Sequence, residues 1–224
     1  MKKAGTQESF DCKVPCSVYK TLLDYKKIPD PYYRENEYIS TQICDDDYDF
    51  ETVFSADKTA ADCENTVLHF DGIDTIANVY LNGVHLGRAN NMHCIWEFPV
   101  HGILKEGENT LTVKIKSPNQ YIKEMDEKRH LWGVDSTMTG YTHIRKAHCM
   151  FGWDWGPMLP DMGIWRSVSL VIPQDGRILD VYYSQKHTEN KVTLKVLVHI
   201  ENHGCKKALV EISDPQGNLS LIHI

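Results

Sequence analysis

The chain of 224 residues has no long basic run. Its 24 Lys and Arg are outnumbered by 31 Asp and Glu, and the formal net charge is −7. Nucleic acids and anionic membrane surfaces are held by clustered cations, so neither is expected as a partner. No apolar run approaches the ~20 residues that span a bilayer. The opening "MKKAGTQESFDCK" has two lysines with no apolar stretch behind them, which is not the pattern of a secretory signal. A paired set of cysteines is missing too. Cys12, Cys16, Cys44, Cys63, Cys94, Cys149 and Cys205 are odd in number, and without a secretory signal they read as reduced thiols of a cytoplasmic protein. "CKVPC" brings Cys12 and Cys16 close in sequence, but no second pair follows at zinc-ligand spacing and the eleven histidines are scattered. Neither a metal nor another cofactor is expected.

What is present is ordinary for a globular protein: 42% hydrophobic and 25% charged residues. The length suits one large domain, or one domain and part of another. Strand signals dominate. In "NVYLNGVHLG", Val79 and Leu81 alternate with polar neighbours, Asn82-Gly83 offers a type I′ turn, and Val84 and Leu86 resume the alternation. "TVLHFDGI" and "YDFETVF" read as strands. Leu111, Val113 and Ile115 share one face of another, which Pro118 follows. "IWRSVSLVIP" is a further strand, ending at Pro173. Helix signals are fewer. Ser17 caps a segment with Val18, Leu22 and Tyr25 on one face, and Ser117 caps a second with Pro118 at its first position. Many short strands between turns predict an all-β protein, a β-sandwich or jelly roll with short helices.

From Gln174 onward "VYYSQ", "KVTLKVLVHIE" and "KALVEIS" are three strand-like runs at short spacing. Some fifty residues cannot complete a sandwich of roughly 100. Two domains are therefore expected, 1–173 and an incomplete one over 174–224. Unpaired strand edges within residues 190 to 224 would favour a homodimer.

The stretch "HCMFGWDWGP" sets Asp154 between Trp153 and Trp155 and brackets the three with Gly152 and Gly156. An indole is costly to leave in water and a carboxylate is costly to bury. A pyranose needs both: its C–H face covers an aromatic ring, and its hydroxyls need acceptors. An ionised carboxylate accepts two such hydroxyls in hydrogen bonds roughly twice as strong as neutral ones. The two glycines permit backbone angles that other residues resist, and Pro157 stiffens the exit. Trp155 is also suited to the core, and burial is the expectation for Trp96, Trp132 and Trp165, the last alternating with Arg166 along its strand.

"KVPCSVYKTLL", "IPDPYYRENE", "LHFDGIDTIANVYLNGVHLGRANNMH", "LKEGENTLTVKIKSP" and "IRKAHCMFGWDWGPMLPDMGIWRSVSL" occur in that order. Together they resemble the N-terminal, galactose-binding-domain-like jelly roll of glycoside hydrolase family 2, in its β-mannosidase branch. The likeness covers residues 10 to 173. The later strands resemble the start of the immunoglobulin-like domain that follows in that family. Two departures are Cys16, where the family has glycine, and an N-terminus without the family's first, tryptophan-bearing strand. The resemblance implies retaining exo-hydrolysis of terminal β-mannosyl residues. It also implies that both catalytic glutamates sit on a (β/α)8 barrel of about 250 residues, for which these 224 have no room. The catalytic barrel of the parent polypeptide is thus an expected partner, and a β-mannoside or manno-oligosaccharide the expected ligand. By position, Trp153, Asp154 and Trp155 would face the terminal mannose. Asn36-Glu37 resembles the Asn-Glu pair of related barrels but lies in "PYYRENE" and is read as coincidence. A free-standing carbohydrate-binding module is the alternative to a hydrolase fragment.

Overall fold

Burial alternates along Val67–Phe70, Ala77–Leu81 and Gly107–Ile115 as the sequence pattern requires, and the alternation fixes which sheet faces meet. The computed structural model describes residues 1–173, 176–204, 207, 209–213 and 215–222. They fall into two compact units, Met1–Ile172 and Pro173–Ile224.

The first unit begins with β1 (Lys2–Lys3), β2 (Cys16–Ser17), α1 (Val18–Asp24), α2 (Asn36–Ile43), β3 (Tyr48–Ala56) and α3 (Lys58–Asp62). It continues through β4 (Val67–Phe70), β5 (Ala77–Leu81), β6 (Val84–Ala89), β7 (Trp96–Pro99), β8 (Gly107–Ile115) and α4 (Pro118–Lys128). The short strands β9 (Phe151–Trp153), β10 (Gly156–Met158), β11 (Gly163–Ile164) and β12 (Val168–Val171) complete it. Two antiparallel sheets carry the core, one in the order β1-β3-β8-β5-β6 and the other β12-β4-β7. Phe50, Val79, Leu81, Leu111 and Val113 from the first sheet share one apolar cluster with Leu68, Phe70 and Phe98 from the second. Each such side chain, once fully buried, contributes roughly 1.5–3 kcal/mol. Between β3 and β8 on one side and β4 and β12 on the other, a groove of about 530 Å³ stays open, lined by Cys12, Phe50, Leu68, Leu111 and Leu170 among others.

The expected hairpin is present: β5 and β6 pair across Asn82 and Gly83, which sit at φ 51° and 80°. Asn82 does more than turn the chain. Its amide donates to the Ile103 carbonyl (2.9 Å) and Asn109 Oδ1 (2.8 Å), and its own oxygen accepts from Thr110 N (2.9 Å). Val84 is exposed and Leu86 only half-buried, because β6 is the outer strand and its register shifts beside Val79. Ser17 and Ser117 cap α1 and α4 as expected, accepting from Lys20 N (3.2 Å) and Gln120 N (2.9 Å).

Two further short helices were not expected, α2 without a capping side chain and α3 with one. α2 has no side-chain cap and buries only Ser40. α3 is five residues long and is capped by Asp57 on Ala60 N (2.8 Å). The strand expected over "IWRSVSLVIP" is interrupted: β11 and β12 are separate, and Trp165 lies between them, just before a bend at Arg166. Trp165 and Trp96 are half-buried, and each gives its indole N–H to a backbone carbonyl, of Met92 (3.2 Å) and Asn91 (3.1 Å) respectively. Trp132 corrects the expectation of burial. It is 83% exposed, in the loop after α4, where no element packs over it.

The second unit holds four strands among the described residues, where three were expected. β13 (Gly176–Thr188) and β14 (Lys191–Asn202) form one long hairpin, and β15 (Val210–Ser213) and β16 (Leu219–Ile222) form another. Val181, Tyr182 and Tyr183 on β13 are exposed, as are Val192 and Leu197 on β14. Gln174 and Cys205 lie outside the described residues.

Candidate functional site

The segment from 148 to 158 is a tight hairpin whose base is buried and whose tip is not. β9 and β10 pair antiparallel, Gly156 opposite Trp153 and Met158 opposite Phe151, leaving Asp154 and Trp155 as the two-residue turn. Phe151 is fully buried with Ile76, Ile122, Tyr141 and Ile144 in a second apolar cluster. Its carbonyl accepts from Met138 N (2.9 Å), and Leu159 N closes on the Met150 carbonyl (2.8 Å). α2 braces the returning strand, since Thr41 Oγ1 donates to the Met158 carbonyl at 2.5 Å.

Gly152 is the residue that makes this geometry possible. Its φ is 101°, and a Cβ there would lie 2.8 Å from Met158 Cγ and 3.1 Å from the Ser136 carbonyl oxygen. No side chain fits either constraint. Gly156, expected to matter equally, has no positive φ, and a Cβ on it would meet nothing within 4 Å.

At the tip, Trp153 is 39% and Trp155 74% exposed, with ring centroids 6.4 Å apart and planes inclined at 51°. Trp155 is therefore not core, the other place its sequence suited. Asp154 is exposed between them, and its carboxylate has no hydrogen bond or ion pair among the described residues. Two aromatic faces and an uncommitted acceptor are thus held on one two-residue turn. Such a tip can cover an apolar sugar face and accept hydroxyls. Retaining cleavage of a glycosidic bond takes two carboxyl groups held about 5–5.5 Å apart, and the turn itself carries one, Asp154. Asn36, in the first turn of α2, is engaged locally, its Nδ2 donating to the Asp30 carbonyl (2.8 Å), and Glu37 follows it in the same turn.

Behind the hairpin lies a polar cluster that local sequence signals did not reveal. Lys146 is buried and ion-paired to Asp74, also buried, and donates to the Asp161 carbonyl. Burial pushes the Asp161 carboxyl above its ordinary range, although the Tyr19 amide (3.0 Å) and the Met162 amide (2.8 Å) donate to it. Asp74 and Gly163 exchange backbone hydrogen bonds of 2.8 and 3.0 Å. Gly163 also passes so close to β2 that a Cβ would stand 2.3 Å from the Cys16 carbonyl oxygen. These contacts fix the chain on both sides of the hairpin, entering at Lys146 and leaving at Asp161. A charged residue inside an otherwise mixed run was the only hint.

The fold defines a β-sandwich domain that carries an aromatic, carboxylate-bearing turn, and comparison with known proteins narrows the class. The family model described as glycosyl hydrolase 2 galactose-binding domain-like matches residues 1–166, and the chain belongs to that family. The β-mannosidase of Mus musculus is 32% identical over 165 residues, 70% of this chain and 19% of the mouse protein. β-Mannosidase B of Aspergillus fumigatus is 31% identical over 208 residues, 89% of this chain and 24% of its own length. The crystal structure of β-D-mannosidase from Dictyoglomus thermophilum superposes with a TM-score of 0.84 at 33% identity, over 90% of this chain and 25% of that one. The chain thus spans about a fifth to a quarter of the proteins it resembles.

Proposed function

We propose that this chain is the sugar-contacting N-terminal part of a β-mannosidase-like hydrolase that removes terminal β-D-mannosyl residues with retention. In this reading Trp153 and Trp155 cover the apolar face of the terminal mannose and Asp154 accepts its hydroxyls. The two catalytic carboxylates belong to a barrel carried by the rest of the polypeptide. The observation that carries the reading is the exposed indole pair with an unpaired carboxylate between them. The relatives' activity and the match of the family model support the choice of sugar. Residues 173–224, with two antiparallel hairpins, serve as the opening of an immunoglobulin-like domain. The 208-residue likeness to the fungal protein, longer than the first unit, favours that continuity. Free thiols at Cys12, Cys16, Cys44, Cys63, Cys94 and Cys149 suit a reducing, cytoplasmic setting.

The chain's own part is to bind and to orient. A turn open to solvent excludes little water, so mannobiose binds alone no tighter than about 1 mM, or ~4 kcal/mol. Titration followed through the indole N–H resonances tests this. Trp153 and Trp155 are expected to shift, while Trp96 and Trp165, whose N–H groups are bonded to carbonyls, stay in place. Micromolar binding would instead favour a self-sufficient carbohydrate-binding module. Saturating mannobiose without movement at Trp153 or Trp155 would contradict the reading.

A further inference from the structure

Cys12 and Cys16 bracket "CKVPC", whose second cysteine departs from the family resemblance and has no part in the β9–β10 tip. Their sulfurs stand 3.7 Å apart, with the Cys16 thiol donating to Cys12 Sγ. The two are placed unequally. Cys12 is half-buried and lines the open groove between the sheets, whereas Cys16 is buried at the start of β2 and packs into the apolar cluster. A reagent entering from solvent therefore meets Cys12 first, with Cys16 immediately behind it.

We infer that Cys12 and Cys16 form a redox-active dithiol in which Cys12 exchanges with small disulfides and Cys16 resolves the product. The hydrogen bond from Cys16 draws the Cys12 thiol down to about 6, against the opposing effect of burial, so the sulfur facing the groove is the thiolate at neutral pH. The same contact, together with burial, holds the Cys16 proton on. In the first step the Cys12 thiolate attacks one sulfur of a low-molecular-weight disulfide RSSR, and RS⁻ leaves. The departing thiolate, or water, takes the Cys16 proton. Cys16 S⁻ then attacks Cys12 Sγ and expels the second RS⁻. Both protein sulfurs are oxidised to one disulfide, and RSSR is reduced to two thiols. Excess thiol reverses the sequence, which suits a reversible modification in a reducing compartment.

Lys13 lies between the two cysteines, so trypsin separates them into the peptides 4–13 and 14–20, which only the disulfide would join. The full chain is treated with oxidised glutathione, quenched with iodoacetamide and mapped by mass spectrometry. The expected result is loss of both free thiols with recovery of the joined peptide pair, reversed by dithiothreitol. Cys16→Ser should stop at the first step and carry glutathione on Cys12. The exposed Cys94 and Cys149 report on general thiol reactivity in the same digest. Recovery of Cys12 and Cys16 as two separately alkylated peptides, under conditions that modify Cys94 or Cys149, overturns the inference. So does a Cys16→Ser chain with glutathione on Cys94 or Cys149 and none on Cys12.

Discussion

Asp154 and Lys146 are both charged and lie eight residues apart, yet their surroundings give them opposite tasks. Asp154 is presented to solvent with its lone pairs free, while Lys146 is buried and committed to Asp74. Removing the committed charge costs more than removing the free one, because the partner is left buried and unpaired. Lys146→Met is therefore expected to destabilise the first unit by about 3–5 kcal/mol in urea unfolding. A change below about 1 kcal/mol would mean that Asp74 finds another partner or is neutral. His69 offers a pH-dependent counterpart. Burial lowers its pKa, but hydrogen bonds to Glu97 (2.8 Å) and Asp71 (3.0 Å) outweigh that, and the folded value lies above the ordinary one. The folded state then holds the proton more tightly than the unfolded chain. This stabilisation is complete below about pH 6.5 and is lost as pH rises through the folded pKa. Stability measured by denaturant at stepped pH should fall over that rise, and His69→Gln should remove that part of the slope. An unchanged slope in the variant would assign the dependence to other groups.

Elements differed in how far the sequence could announce them. The β5–β6 hairpin and the caps of α1 and α4 were legible because each signal is local: Asn-Gly at the turn, and a serine three residues before the amide it accepts from. α2 was not, since its stabilising contacts come from far along the chain. Thr41 bonds to Met158, 117 residues away, and Asn119 reaches back 78 residues to Thr41. The tip of β9–β10 was legible in its residue types but not in its exposure. Nothing in "WDW" says which indole faces water, and Trp155 proved the more exposed. Trp132 makes the same point, because a tryptophan's size argues for burial only if some element arrives to cover it. For the β5–β6 hairpin, the bonds from Asn82 to Ile103, Asn109 and Thr110 imply more than a turn preference. Asn82→Ala should cost about 1–3 kcal/mol, because three hydrogen bonds of one side chain are lost together. Asn82→Gly, which keeps the backbone and loses the same bonds, should cost a similar amount. A much milder glycine variant would trace the effect to backbone strain alone.

Across the whole molecule, the two units differ in how completely their apolar faces are covered. The first buries one continuous cluster between its sheets. The second exposes Val181, Tyr182 and Tyr183 along a 13-residue strand paired on one side, to β14, among the described residues. Strand edges of that kind add further strands. Sedimentation of the chain is expected to show mass rising with concentration, and Val181→Lys with Tyr183→Lys to shift it toward monomer. Monomer at every concentration would mean that the exposed strand is tolerated as it stands.

The sugar-contacting role of the β9–β10 tip is tested most directly by catalysis in a polypeptide that joins this domain to its barrel. In such an enzyme, kcat/KM for a β-mannoside should fall about tenfold to a hundredfold on Asp154→Ala, the equivalent of roughly 1.5–3 kcal/mol for hydrogen bonds to a charged acceptor. The melting temperature should stay where it was, since Asp154 has no partner among the described residues. An unaltered kcat/KM in a well-folded variant would contradict the account.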